Sequence, residues 1–228
     1  MLAVSAAGLT GGLMWLSQPI SGANRPLRLY CAAGMRMAVE KIVAKYKAEY
    51  GVEIEIQYGG SNTLLSQLQV NNSEDADLYL AADDFYTAQA VELGLALDVY
   101  PIAYSGPVIA VPPGNPKQIR NIGDLLRPDV RVAMADPDQA AVGRAVRDRL
   151  SRVETREGNF WEQLQASITD RGVFKPTVND VANDVKLGAV DAGLVWDSTV
   201  KLPDYAGSME ELWRRGWRAI PICWSWRR

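Results

Sequence analysis

The chain of 228 residues contains no histidine. That absence removes the commonest general base, the Ser-His-Asp triad and any zinc site built on imidazole. Cysteine is scarce: Cys31 and Cys223 form neither a C-x-x-C pair nor a disulfide framework, and both are read as free, small apolar residues. Charge of one sign is lacking too, with 24 basic against 27 acidic residues and a net charge of -3. The basic residues are dispersed rather than gathered in a stripe, so nucleic acid is not an expected partner. Neither a P-loop nor a dinucleotide fingerprint occurs. Without histidine or such a motif no nucleophile-base pair can be assembled, so neither catalysis nor a cofactor is expected.

With 48% hydrophobic residues, the chain can bury a real core, as one large domain or as two lobes of about 100 residues each. Residues 1–23 carry no charged side chain. Their apolar stretch has the length of a secretory h-region and falls short of a comfortable membrane span of about 20 residues. Ser21 and Ala23 suit a cleavage site, which makes a signal peptide the expectation. A basic n-region is missing, and an uncleaved anchor or a buried apolar helix is the alternative.

From Leu27 onward, short apolar runs alternate with helical patterns, which predicts an α/β architecture with largely parallel strands. Leu27 to Cys31 is the first strand. A helix carrying Val39, Ile42, Val43 and Tyr46 follows, capped by Gly51. Val52, Ile54, Ile56 and Tyr58 alternate with polar residues, as in an edge strand. A helix with Leu64, Leu65 and Leu68 comes next, then a strand over Leu78 to Ala81 and a helix ending near Gly94. Leu97 to Val111 changes pattern to two extended runs split by Ser105-Gly106-Pro107, read as a crossover. Beyond it lie a strand over Val130 to Met134 and a helix with Val142, Val146, Leu150 and Val153. Helices over Phe160 to Ile168 and about Asp180 to Leu187 and a strand over Ala192 to Trp196 complete the pattern.

Four turns of small residues each open a helix: Ala32-Ala33-Gly34, Gly59-Gly60-Ser61, Ala140-Ala141-Val142-Gly143 and Thr177-Val178-Asn179-Asp180-Val181. The first turn of a helix presents backbone N–H groups with no partner in the helix, and the macrodipole favours an anion there. Several such ends meeting in one cleft make an anion site that needs no positive side chain. Taken singly, each turn is equally well explained by the tight strand-to-helix connections that small residues allow.

The segments LRLYCAAGMRMAVEKIVAKYKAEYGVEIEIQYGGSNTLLSQL, ADLYLAAD, ADPDQAAVGRAV and NDVANDVKLGAVDAGLVWDS together resemble the molybdate-binding proteins of ABC transporters, over roughly residues 27 to 200. The resemblance implies a two-lobed, type II periplasmic-binding-protein-like α/β fold with crossing strands between the lobes. It further implies an exported, periplasmic monomer that closes on molybdate or tungstate and delivers it to a membrane permease. Molybdenum or tungsten would enter only as an oxyanion, with no free metal cation bound. In such proteins two serines, two backbone amides and a tyrosine hold the ligand. Ser61 matches the second serine, Val142 one amide donor and Val181 the other. Gly34 stands where the first serine is usual, leaving only its amide, and Trp196 stands near the usual tyrosine, where an indole N–H can donate. Arg36 and Arg144, each beside a donor turn, are candidates to compensate, although solvated surface is the plainer reading. Another anion, or ferric ion, is the alternative ligand.

The domain organisation expected is a signal peptide over 1–23, a first lobe over 27–104, a second over 107–192, a return to the first over 193–208 and an atypical tail over 209–228. The tail is rich in tryptophan and arginine without a strand-helix rhythm, and the C-terminal part of the first lobe is expected to be incomplete. A truncated, non-binding product and a membrane-surface role for the tail stay open. Asp83-Asp84, with Asp136 and Asp138, invite a carboxylate metal site, but aspartate at a helix start more commonly caps it. Asp197 is read as a hinge ligand or a turn-closing residue, and Tyr104 and Ser105 as packing at the hinge.

Overall fold

The computed structural model describes residues 25–71, 76–212 and the backbone of 220–226. The expected signal peptide over 1–23 and the side chain of Cys223 lie outside the described residues. Among the described residues, no helix is long and apolar enough to cross a membrane.

Three strand-helix units build the first lobe: β1 (Leu27–Ala32) and α1 (Arg36–Tyr50), β2 (Ile54–Gly59) and α2 (Ser61–Val70), β3 (Leu78–Ala81) and α3 (Asp84–Glu92). α1 ends where Gly51 takes the left-handed conformation at φ 69°, which glycine adopts without a steric penalty. β2 buries Ile54, Ile56 and Tyr58 more deeply than the intervening Glu55 and Gln57, as befits its place at the sheet edge. β4 (Asp98–Ser105) is the opposite edge, and the order is β2-β1-β3-β12-β4, with β12 (Ile220–Trp226) inserted antiparallel between β3 and β4.

At Gly106 the chain leaves this sheet. β5 (Pro107–Val111), β6 (Val132–Ala135), α4 (Ala141–Leu150), the small hairpin of β7 (Glu154–Thr155) and β8 (Gly158–Asn159), α5 (Phe160–Arg171), β9 (Val173–Lys175), α6 (Val178–Lys186), β10 (Ala192–Trp196), α7 (Asp197–Val200) and β11 (Glu210–Leu212) follow. The second sheet runs β11-β5-β10-β6-β9. Its core gathers Ile109, Val111, Met134, Leu164, Ile168 and Leu194, none more than 1% exposed, while Leu29, Cys31, Leu80 and Val39 fill one face of the first sheet. Burial pushes the Cys31 thiol up to about 12, so it is an inert packing group rather than a nucleophile.

Three expectations are corrected here. Residues 193–208 do not lead back to the first lobe, because all five residues of β10 are buried and pair with β5 and β6 in the second sheet. The return falls at β12, and the tail, expected to lack rhythm, contributes a strand to each sheet. At the crossover, Ser105 is buried but Tyr104 is 69% exposed and does not pack the hinge. Asp197, just past β10 in the second lobe, ties that lobe to the crossover: its Oδ1 accepts from the Ser105 hydroxyl at 2.6 Å and the Gly106 amide at 3.1 Å, while its own amide donates to the Gly106 carbonyl at 2.8 Å. Burial pushes its carboxyl up, but these bonds outweigh burial and hold it below the usual range.

Candidate anion-binding site

The small-residue turns meet between the lobes. Ala32, Ala33, Gly34, Gly59, Gly60, Ser61 and Ala82 of the first lobe face Ala140, Ala141, Val142, Thr177, Val178 and Trp196 of the second, around a cavity of about 20 Å³. That is little more than the room one ordered water needs, and far below the roughly 300–1,000 Å³ of pockets for larger organic ligands. Wider hollows, one of about 560 Å³ beside Arg28, Glu55 and Gln67 and one of about 670 Å³ beside Lys117, Arg120 and Asp124, lie elsewhere and meet no start of an α-helix.

Backbone donors dominate this cavity because two of its helices start without a side-chain cap. The cap positions are Gly60 for α2 and Ala140 for α4, neither of which offers an oxygen. In α4 the Arg144 amide is the one that reaches back to the Ala140 carbonyl, at 3.1 Å, which leaves the amides of Ala141, Val142 and Gly143 without an acceptor in the helix. In α2 the Asn62 amide already crosses the cleft to the Gln139 carbonyl at 3.1 Å, while the Ser61 amide, at the first position of the helix, has no acceptor within it. The Ser61 hydroxyl, on a residue only 1% exposed, accepts from the Ala82 amide at 3.2 Å. With that lone pair taken, its proton is left to donate.

α6 is built differently. Thr177 and Asp180 form a capping box: the Asp180 carboxylate accepts from the Thr177 amide at 3.1 Å and hydroxyl at 2.7 Å, and the Thr177 oxygen accepts from the Asp180 amide at 3.3 Å. This fixes the helix start at Val178. The Val181 amide therefore donates within the helix, to the Thr177 carbonyl at 3.4 Å, and the Val181 side chain packs under β10, where a Cβ on Gly193 would meet it at 2.9 Å. Of the residues expected from sequence, Gly34, Ser61, Val142 and Trp196 come together; Val181 does not, and Val178, one turn earlier, takes its place. The Thr-x-x-Asp spacing carried that signal.

Acceptors are scarce around the cavity. The Ala33 carbonyl is taken by the Asn179 side-chain amide at 2.8 Å, the Gln139 carbonyl by Asn62, and the Ser61 carbonyl by the Tyr79 hydroxyl at 2.8 Å. No carboxylate lines it. Such a lining suits a fully ionised oxyanion and repels a cation.

Neither arginine compensates for the missing hydroxyl. Arg36 stacks on Tyr58 at 4.2 Å, and Arg144 turns away to Asp83, Asp148 and Phe85. Gly34 has a local reason: a Cβ there would meet Val178 Cγ1 at 2.9 Å and Trp196 Cδ1 at 3.8 Å. The Trp196 indole thus covers the ground a side chain at position 34 would use, itself only 1% exposed. The aspartates are structural. Asp83 caps α3 through the Tyr86 amide, and burial pushes its carboxyl up against the pull of Arg144. Asp136 accepts from the Asp138 amide and the Gln139 side chain, and Asp138 pairs with Arg147.

Two α/β lobes joined by crossing segments, with donors from both facing one small cavity, define a type II binding-protein architecture. The chain belongs to the bacterial extracellular solute-binding protein family, whose pattern matches residues 27–212. It is 31% identical over 202 residues to the molybdate-binding protein ModA of Mycobacterium tuberculosis, spanning 83% of this chain and 71% of the relative. In fold it is similar to the periplasmic molybdate-binding protein of Azotobacter vinelandii, with a TM-score of 0.68 and 17% identity over 88% of this chain and 84% of the other. It is also similar to the sulfate-binding protein SubI of Mycobacterium tuberculosis, with a TM-score of 0.72 and 16% identity over 88% and 75%.

Proposed function

We propose that this protein captures a tetrahedral oxyanion, molybdate or tungstate, in the periplasm and hands it to the permease of an ABC transporter, acting as a monomer and transforming nothing. The observation that carries the reading is the donor-rich lining without a carboxylate: Ser61 from one lobe, and the Val142 amide of the uncapped α4, the first-turn Val178 amide of α6 and the Trp196 indole from the other. Export fits the apolar segment 1–23, and the choice of anion rests on the likeness to molybdate-binding relatives. Because both lobes contribute donors, tight binding requires the lobes to close.

Calorimetric titration with molybdate, tungstate, sulfate, phosphate and ferric ion tests this. Saturable binding of molybdate or tungstate in preference to phosphate is expected, since hydrogen phosphate brings a proton that needs an acceptor. Binding of ferric ion alone would overturn it. Ser61→Ala should weaken molybdate binding by about 1–3 kcal/mol if its hydroxyl meets a charged ligand, and wild-type affinity would remove Ser61 from the site. Trp196→Phe keeps an aromatic wall and deletes the N–H. A loss of roughly 10- to 150-fold is expected in the same titration.

A further inference from the structure

Just outside the ring of donors, a buried ion pair spans the cleft. Arg144 lies on the first turn of α4, two residues past Val142, and Asp83 directly follows Ala82 at the end of β3. Nη2 of Arg144 stands 2.5 Å from Oδ2 of Asp83; the Asp83 side chain is wholly buried and that of Arg144 is 13% exposed. Three further contacts fix the guanidinium. Its Nη1 meets Asp148 one turn along α4, and its plane lies over the Phe85 ring at 4.0 Å and near Tyr86 at 5.5 Å. Both rings belong to the first lobe, so Arg144 brings a charge and a stacking surface across the cleft at once. The other Asp83 oxygen accepts from the Tyr86 amide at 3.4 Å, which anchors the carboxylate to α3.

A buried ion pair is weak evidence of stability, because desolvation opposes the attraction. Geometry matters more here. Each partner lies within two residues of a cavity-lining residue of its own lobe, Asp83 of Ala82 and Arg144 of Val142, and the contact exists only while the lobes are together. We propose that Arg144 and Asp83 are positioning residues that act as a latch, holding the α4 donor turn against the Ser61 turn and thereby setting how long the bound anion is retained. The latch rests on the reading that the lobes close on an oxyanion. Since it engages after the ligand has entered, it acts on dissociation rather than on encounter.

Stopped-flow tryptophan fluorescence with molybdate as probe separates the two rates. Asp83→Asn keeps the capping oxygen and the shape while removing the charge. It should raise koff at least about 10-fold and leave kon within about threefold. Arg144→Lys restores a charge without the planar fork or the stacking and should fall between that variant and wild type. Thermal unfolding of the ligand-free variants serves as the control: a drop in Tm with koff unchanged would mean a structural pair and overturn the latch. Wild-type binding with koff unaltered in Asp83→Asn overturns the latch alone; failure of the wild-type chain to bind any oxyanion overturns both the latch and the functional reading.

Discussion

Gly60→Ala should abolish tight oxyanion binding, by at least about 100-fold or roughly 2.7 kcal/mol, and leave ligand-free thermal unfolding within a few degrees of wild type. Gly60 has φ -68° and ψ 147°, an extended conformation that alanine adopts freely, so its own lobe has no objection to the methyl group. Trouble comes from across the cleft. A Cβ there would stand 2.3 Å from the Gln139 carbonyl oxygen, 2.9 Å from its carbon and 3.3 Å from the Pro176 oxygen. All three are backbone atoms of the second lobe and cannot swing aside like a side chain. Only the closed arrangement is penalised, and the Asn62 bonds to Gln139 and Asp138 that accompany it would be lost as well. Calorimetry beside a thermal melt separates the effects, and wild-type affinity would mean that the lobes do not meet here when ligand is bound.

Gly143→Ala is expected to strike the fold itself. The nearest atoms to a Cβ at this position are the Ala135 oxygen at 2.2 Å, the Pro137 nitrogen at 2.8 Å and the Asp136 carbon at 2.9 Å, all in the same lobe. They form the loop that carries the chain from β6 into α4, so the clash persists whether the cleft is open or closed. Overpacking of this kind destabilises by about 1–3 kcal/mol, which for a chain of this size lowers Tm by roughly 2–4 °C per kcal/mol. The ligand-free melt should therefore fall by roughly 2–12 °C, where Gly60→Ala carries no such penalty within its own lobe. An unchanged melt would show that the first turn of α4 is not held this closely against β6. Affinity should fall as well, because the displaced turn carries the Val142 amide.

Much of this architecture was legible in the amino-acid order. The strands Leu78–Ala81 and Ala192–Trp196 stand where their apolar runs put them, and the crossover at Ser105-Gly106-Pro107 separates the two sheets. What an apolar run does not carry is its partner. Ala192–Trp196 is buried throughout, which marks it as a central strand without saying of which sheet. β9 was missed because three half-buried residues at a sheet edge leave no periodicity to detect. β12 was missed because its pairing with β3 and β4 is decided by a sheet assembled far earlier in the chain. Of the site, the uncapped turns at Gly60 and Ala140 were readable, and so was the capping box that should have directed attention to Val178 rather than Val181. The Asp83–Arg144 bond spans 61 positions and depends on lobe closure, so no local pattern announces it. The same holds for Gly34, whose missing side chain is explained by Val178 and Trp196 across the cleft.

The most direct test of an amide-lined oxyanion site is a crystal structure of the chain grown with tungstate, located by anomalous scattering from tungsten. A single strong peak is expected in the cavity between the first turns of α2 and α4, with oxygens within hydrogen-bonding distance of Ser61, Val142, Val178 and Trp196. A well-occupied peak elsewhere on the protein with this cavity empty, or a tungsten position reached by the Arg144 guanidinium instead of those donors, would contradict it.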